Sequence, residues 1–339
     1  MTPVRSARCG APFRIFIPLA IAAFALLTST SALRAQDDMP AWAYSIAPPS
    51  QAGVATDGQL PDETALLRVP GSSRSFTLAQ IEDGFAPADW FPGDHPVMPE
   101  VVAHGRRPDV RACASCHYPN GKGRPSNGSV SGLPVGYFIQ AVEDFKNGLR
   151  RPADARKNNV NQMIGYAKAM TADEIRVAAE YFGSITWTPW IRVIEVAEVP
   201  KTRIAGFIHY RLPGSETEPL GMRIVEAAED TLQTEPLRNP RSGFVAYAPV
   251  GSISKGQTLV TNGGGGRTVQ CGICHGADLK GAGNVPGIAG RSPSYLVRQM
   301  YDMKAGTRRG PGAALMTAVV EKLTNEDYVA IAAYVSSLR

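Results

Sequence analysis

Cysteine, histidine and long apolar runs are all scarce in this chain. It has five cysteines and five histidines among 339 residues. Cys9 lies near the start, and the other four cysteines fall in two close pairs. A chain without its first segment therefore has no spare thiol, which suits an oxidising compartment. No apolar run reaches the roughly 20 residues that a membrane-spanning helix needs. The best, Ile15 to Leu27, is too short and is interrupted by Pro18. No basic run carries interleaved aromatics, which argues against nucleic-acid binding. The glycine run Gly263–Gly266 lacks the Lys-Ser/Thr ending of a phosphate loop, which argues against a nucleotide site.

What the N-terminal segment does have is the grammar of a secretion signal. Arg5, Arg8 and Arg14 precede the apolar stretch, and Ala35 ends a cleavage site before Gln36. We read residues 1–35 as a signal peptide, the rival being an uncleaved anchor. The formal charge of +5 is then misleading, because residues 1–35 hold four Arg and no acid and their removal leaves +1. That charge is unevenly spread. Residues 36–100 carry −8, residues 101–185 carry +5, residues 186–250 carry −1 and residues 251–339 carry +5. Two basic blocks of this kind can steer an acidic redox partner; ordinary solvated surface is the competing reading.

The four remaining cysteines stand in one motif written twice: Cys113-Ala-Ser-Cys116-His117 and Cys271-Gly-Ile-Cys274-His275. Cys-x-x-Cys-His in an exported chain reads as a c-type heme attachment site. Two thiols can form thioethers to the porphyrin, and the adjacent imidazole can reach the iron. Two copies imply two covalently bound hemes c, with Cys113, Cys116, Cys271 and Cys274 as attachment points and His117 and His275 as proximal ligands. A zinc ribbon would want its cysteine pairs closer in sequence. A dithiol redox site would not explain a histidine after both pairs.

The motif repeat belongs to a larger one. An offset of 158 aligns the motifs and, without a gap, places Tyr137-Phe138-Ile139 on Tyr295-Leu296-Val297. It also places Asp144, Lys146, Gly148, Arg150 and Arg151 on Asp302, Lys304, Gly306, Arg308 and Arg309. After a shortening of five the offset is 153, and Met163 falls on Met316 and Thr171 on Thr324. Each copy ends in a helix with the same start signal. Thr171 with Glu174, and Thr324 with Asp327, form capping boxes. Ile175, Ala178, Ala179 and Phe182 then follow at helical spacing, as do Tyr328, Ile331, Ala332 and Val335. Earlier helices are predicted from Tyr137 to Asn147 and from Tyr295 to Ala305, closed by Gly148 and Gly306.

The sixth ligand of each iron decides what the site can do. A thioether there raises the reduction potential, and any fixed ligand keeps substrate off the iron. Met163 and Met316 are the candidates because they hold equivalent places in the repeat, each in a loop before the capped final helix. Core filler is the competing role for any methionine. Met170 is the rival in the first copy, but it aligns with Leu323. Met98, Met222, Met300 and Met303 lack a counterpart and are read as packing. His95, His104 and His209 are read as surface residues; any of the three is a rival distal ligand for a bis-histidine first heme, and His104, aligned with Asn262, has no support from the repeat. A carbonyl near Pro286 can accept Nδ1–H of His275 and fix the ring; the first copy has Gly128 there, so its support is expected to differ. Arg150 and Arg308 are read either as partners of a propionate or as solvated arginines.

Between the copies, residues 186–250 have a different character. Ile191 to Val199 is rich in β-branched residues, Arg203 to Leu212 alternates in part, and Pro213-Gly214 reads as a turn, so a few short strands are expected. Residues 36–100 form an acidic, Pro-rich extension. Trp42, Trp90, Phe91 and Pro96 can pin it onto a heme domain; partial disorder is the alternative.

On these motifs, each half resembles a class I cytochrome c domain. The matching features are the Cys-x-x-Cys-His, the Tyr-Leu-Val-Arg-Gln helix with Lys304, Gly306 and Arg308, the Met316 loop and the final Asn325-to-Leu338 helix. The resemblance covers about 101–185 and 251–339 and implies a mainly α fold of two small helical domains. It implies one heme c in each, His/Met ligation through His117–Met163 and His275–Met316, and no catalytic residues. The whole resembles tandem diheme cytochromes c. These are periplasmic carriers between dehydrogenases or quinol-oxidising complexes and terminal oxidases. The expected function is an exported electron carrier without substrate turnover of its own, free or docked to a dehydrogenase. The alternative is an enzyme resembling the diheme peroxidases, with one open iron site.

Overall fold

The computed structural model describes residues 1–2, 39–51, 62 and 64–339. The leader read over 1–35 therefore lies, from residue 3 onward, outside the described residues, as do 52–61 and 63 of the acidic extension. Pro40–Arg339 hold together as one unit.

The extension is anchored where it is described. Short helices α1 (Ala41–Tyr44) and α2 (Leu78–Glu82) punctuate it, α2 starting at a Thr77–Gln80 capping box. Trp90 is 1% exposed and packs with Val69, Ile81, Phe91 and Leu237. Its Nε1 donates to the Leu237 carbonyl at 2.8 Å, so the ring's one polar atom is satisfied. Trp90 thus pins the extension to the 186–250 segment, not to a heme domain as expected. Pro96 is exposed and pins nothing. Tyr44, which the sequence did not single out, is the other anchor.

The first copy holds α3 (Glu100–Ala103), α4 (Ala114–His117), α5 (Val135–Lys146), α6 (Asn158–Ala169) and α7 (Ala172–Ser184). Gly148 ends the α5 region at φ +68, where a Cβ would be strained. Ile175, Ala178, Ala179 and Phe182 of α7 are buried against Phe138 and Val142 of α5, as their spacing requires.

Residues 186–250 hold more sheet than expected. Strands β1 (Ile191–Glu195), β2 (Glu198–Pro200), β3 (Thr202–Ala205), β4 (Ile208–Arg211), β5 (Thr217–Pro219) and β6 (Val225–Ala228) are followed by helix α8 (Thr231–Thr234) and β7 (Phe244–Ala248). Five of them form a mixed sheet in the order β1-β7-β6-β4-β3, and β2 pairs with β5 separately. The mainly α expectation holds in part: the two copies are helical, but a true sheet, more than the few short strands expected, lies between them in sequence. The alternating run Arg203–Leu212 is not one strand. Gly206 (φ +54) and Phe207 (φ +64) fold it into a two-residue hairpin, pairing Ile204 with His209. The β6 and β7 strands are buried at every residue, as befits strands covered on both faces.

The second copy holds α9 (Ser252–Asn262), α10 (Gly272–His275), the small β8 (Gly281–Ala282) and β9 (Val285–Pro286) pair, α11 (Pro293–Lys304), α12 (Pro311–Val320) and α13 (Asn325–Ser337). Helix α9 packs along α13. Gly256 makes that approach possible, because a Cβ there would meet the Ala330 carbonyl. Both capping boxes form. Glu174 N donates to Thr171 Oγ1 at 3.2 Å, and Asp327 N to Thr324 Oγ1 at 3.3 Å. The shorter Asp still reaches back to Thr324 N at 3.0 Å. Thr324→Ala is expected to cost about 1 kcal/mol. The unfolding midpoint in denaturant measures it, and an unmoved midpoint would show that the box adds nothing.

Candidate functional site

Each Cys-x-x-Cys-His folds as a single helical turn. In α4 the His117 amide donates to the Cys113 carbonyl at 2.9 Å, and in α10 the His275 amide donates to the Cys271 carbonyl at 2.9 Å. One turn places two thiols three residues apart on one side, with the imidazole beside them. The four cysteines form no disulfide. Burial pushes the Cys113 thiol up to about 12 and that of Cys271 up to about 11. Reactive dithiol sites do the opposite, lowering a thiol below its usual value.

Each histidine is braced from behind by a backbone carbonyl. His117 Nδ1 lies 3.1 Å from the Gly128 carbonyl, and His275 Nδ1 lies 2.8 Å from the Pro286 carbonyl. A carbonyl accepts only, so Nδ1 carries the proton and Nε2 keeps its lone pair free for a metal. Burial also lowers both imidazole pKa values, favouring the neutral form. The expected difference between Pro286 and Gly128 is therefore corrected. The brace is main chain, and the residue type does not matter to it.

The first copy surrounds a cavity that is partly open to solvent. Cys113, Cys116, His117 and Met163 all line it. Phe138, Val142, Phe145 and Phe182 give it an apolar wall, while Arg150, Lys157 and Arg298 give it a basic end. A flat apolar macrocycle with carboxylates at one edge fits such a space. Arg308, nearby in the seam between the copies, has a buried Nε with no hydrogen-bond partner, a donor suited to an anionic group. Arg298 and Asp302 belong to α11 of the second copy, and Tyr44 to the extension, so both copies and the extension close this cavity. Asp302 accepts from Tyr44 OH at 2.6 Å and from Ala153 N at 2.9 Å, which ties them together.

The methionines are not in loops. Met163 sits within α6 and Met316 within α12, each partly buried. Met170 caps α6, belongs to the buried core and also lines the cavity. The repeat reappears at the end of each methionine segment. Lys146 Nζ donates to the Met170 carbonyl at 3.1 Å, and Lys304 Nζ to the Leu323 carbonyl at 2.6 Å. The remaining histidines point elsewhere. His95 bonds Asp89, Pro96 O and Tyr181; His104 bonds Phe85 O; His209 bonds Thr202. None of the three lines the cavity. The surface reading fails for His95, whose side chain is buried, and for His209, which burial takes down to about 4.

Arg150 and Arg308 are not solvated either; they are 8% and 9% exposed. They form an antiparallel bridge between the copies. Arg151 N donates to Thr307 O at 2.9 Å and Arg309 N to Leu149 O at 2.8 Å. Arg150 reaches Tyr295 OH at 2.8 Å, and Arg308 reaches Tyr137 OH at 2.9 Å. Gln299 Oε1 accepts from both guanidiniums. The repeat named these arginines and tyrosines, but their exchange across a shared seam needed the packed copies to be seen.

A braced imidazole beside two thiols at an apolar cavity is the arrangement of a covalently held heme, and comparison with known proteins agrees. The Cytochrome c family model matches residues 253–339. Cytochrome c-554(548) of Halomonas halodenitrificans is 41% identical over 68 residues, 20% of this chain and 82% of that protein. Cytochrome c4 of Azotobacter vinelandii is 38% identical over 81 residues, 22% of this chain, and the match spans only 39% of that relative's length. The thiosulfate dehydrogenase electron acceptor of Thiomonas intermedia is 24% identical over 235 residues, covering 68% of this chain and 80% of that protein. The chain belongs to the cytochrome c family, and its cofactor is covalently bound heme c.

Proposed function

We propose that the chain is an exported, periplasmic diheme electron carrier, with one heme c in residues 101–185 and one in 251–339. The observation that carries this reading is the brace found twice, Gly128 O on His117 and Pro286 O on His275. Two motifs could share a pattern of letters by chance, but not the same fixed tautomer. Cys113 and Cys116 hold the first heme, Cys271 and Cys274 the second. His117 and His275 would hold the iron through Nε2, and Met163 and Met316 would supply its thioether ligands. When bound, heme supplies a one-electron Fe(III)/Fe(II) couple. The residues do the rest: the thioethers prevent loss, the apolar wall excludes water, and the two fixed ligands leave no position for substrate.

Arg150, Arg308, Tyr137 and Tyr295 lie between the two sites and hold the copies at fixed separation. The basic blocks at 101–185 and 251–339 favour an acidic redox partner. The Thiomonas relative, a thiosulfate dehydrogenase electron acceptor, supports a dehydrogenase as that partner, with a quinol-oxidising complex or terminal oxidase as the other candidates. Among the described residues no helix is long and apolar enough to cross a membrane. The test is a CO titration of the fully reduced protein, with hemes counted by mass on the same sample. Two hemes and no CO binding are expected. CO binding at one heme would mean an open iron and would replace this reading with the peroxidase-like one.

A further inference from the structure

The two attachment motifs sit in very different electrical surroundings, and the sheet segment is the cause. Arg238 follows α8 and holds φ +49, a left-handed conformation unusual for a side-chain-bearing residue. Its neighbours fix it there: Leu237 and Asn239 are buried, and the Leu237 carbonyl takes the Trp90 indole. From this position the Arg238 guanidinium donates to the Ser115 carbonyl, inside the first Cys-x-x-Cys-His turn. Arg124 lies alongside, its Nε buried and without a hydrogen-bond partner. Both guanidiniums are buried, and Arg124 is close enough to repel Arg238.

Neither charge is neutralised at the motif. Among the described residues, neither Arg124 nor Arg238 has a carboxylate within ion-pair distance. Glu235, in the same region, is taken by Arg203, which forks onto both its oxygens at 3.1 and 2.5 Å. Glu82 attracts Arg238 only from a distance. Arginine stays protonated in proteins, so both charges persist at any working pH. The repeat makes the second motif an internal control. The residues equivalent to Ser115, Tyr118 and Arg124 are Ile273, Gly276 and Ala282. Ile273 is 69% exposed, and the cations beside it, Lys280 and Arg339, line an open surface pocket and are not hydrogen-bonded to its carbonyl as Arg238 is to that of Ser115.

We propose that the sheet segment is an electrostatic tuner: Arg238, with Arg124, holds two unpaired positive charges against the first motif and sets the first heme above the second in reduction potential. This rests on the diheme reading. A fixed positive charge in a low-dielectric setting disfavours the ferric state, which carries one more positive charge than the ferrous. An electron received at the second site from a reduced protein partner therefore passes to the first. The second iron is oxidised and the first reduced, and no proton or further reactant is needed.

The test is a potentiometric titration of the intact holoprotein, followed optically, in the wild type, Arg238→Gln and Arg238→Lys. Two one-electron steps are expected. In Arg238→Gln the upper step should fall by about tenfold in equilibrium constant, roughly 59 mV for one electron. The lower step should stay in place, and Arg238→Lys, which keeps the charge, should hold the upper step. Arg124→Gln is expected to act in the same direction and serves if Arg238→Gln does not fold. Two hemes by mass with both steps unmoved overturns the proposal. So does movement of the lower step alone, or equal movement in the Gln and Lys variants, which would be a structural effect. One heme by mass in the wild type overturns the diheme reading and this proposal with it.

Discussion

Replacing Cys271 and Cys274 together by Ala is expected to remove one of two covalent hemes from each chain. Intact-protein mass under denaturing conditions reads this directly, because only thioether-linked heme survives. The substitution is confined. Cys274 is exposed and Cys271 partly so, and alanine suits a helical turn. The brace from Pro286 O to His275 does not involve either thiol, so the imidazole stays in place. The motif is tied to α9 by the main chain, Cys271 N donating to the Val260 carbonyl at 3.0 Å, a bond that alanine keeps. The first heme should remain attached, since Cys113 and Cys116 belong to a different cavity wall. Two covalent hemes in this variant would disprove the attachment assignment, and none would show that the copies cannot load independently.

The second large effect is expected from Met316→Ala. The heme should stay bound, but the reduced protein, inert to CO in the wild type, should bind CO at one heme. The potential of that heme should also fall, because thioether sulfur is a potential-raising ligand. The helix carrying Met316 should survive the change. Alanine is the best helix former, Met316 is only partly buried, and its neighbour Leu315 is 79% exposed. Stability and heme content therefore act as controls, while CO reactivity reports ligation. Helical circular dichroism unchanged with CO still excluded would remove Met316 as the ligand. The corresponding Met163→Ala has a rival in Met170, which lines the same cavity. An inert Met163→Ala chain would point to Met170.

How much of this was legible beforehand depended on whether the signal was local. The capping boxes at Thr171 and Thr324 are three-residue grammar, and both form with the bonds their letters imply. The helices carrying α7 and α13 follow from apolar spacing. The methionine helices were missed because α6 opens Asn-Asn-Val-Asn without a side-chain cap, and α12 opens Pro-Gly. In α6, Val160, Met163, Ile164 and Ala167 do stand at helical spacing, but without a start signal the stripe is easily read as loop. The Gly206–Phe207 hairpin was hidden because Phe is a poor indicator of positive φ. The histidine brace was half-visible. A carbonyl near Pro286 is legible as the acceptor, but the change of residue type at Gly128 hides that its carbonyl supplies the same brace. Trp90 was rightly suspected as an anchor, but which surface receives it depends on the sheet, whose register no short pattern encodes.

The seam around Arg150 and Arg308 has one more consequence. Equivalent residues meet across it, each arginine on the other copy's tyrosine and each strand edge on its counterpart. That is the form of an isologous contact, the kind by which identical subunits make a closed two-fold dimer. Here a single chain supplies both sides. Joining the sides covalently frees the copies from having to be identical. In a true homodimer any substitution appears twice and must suit both partners at once, so one copy could not carry Arg124 where the other carries Ala282. In a duplicated chain one half can change while the other keeps the mating surface intact. The seam is thus a record of symmetry, and the unequal surroundings of the two motifs show how that symmetry was broken.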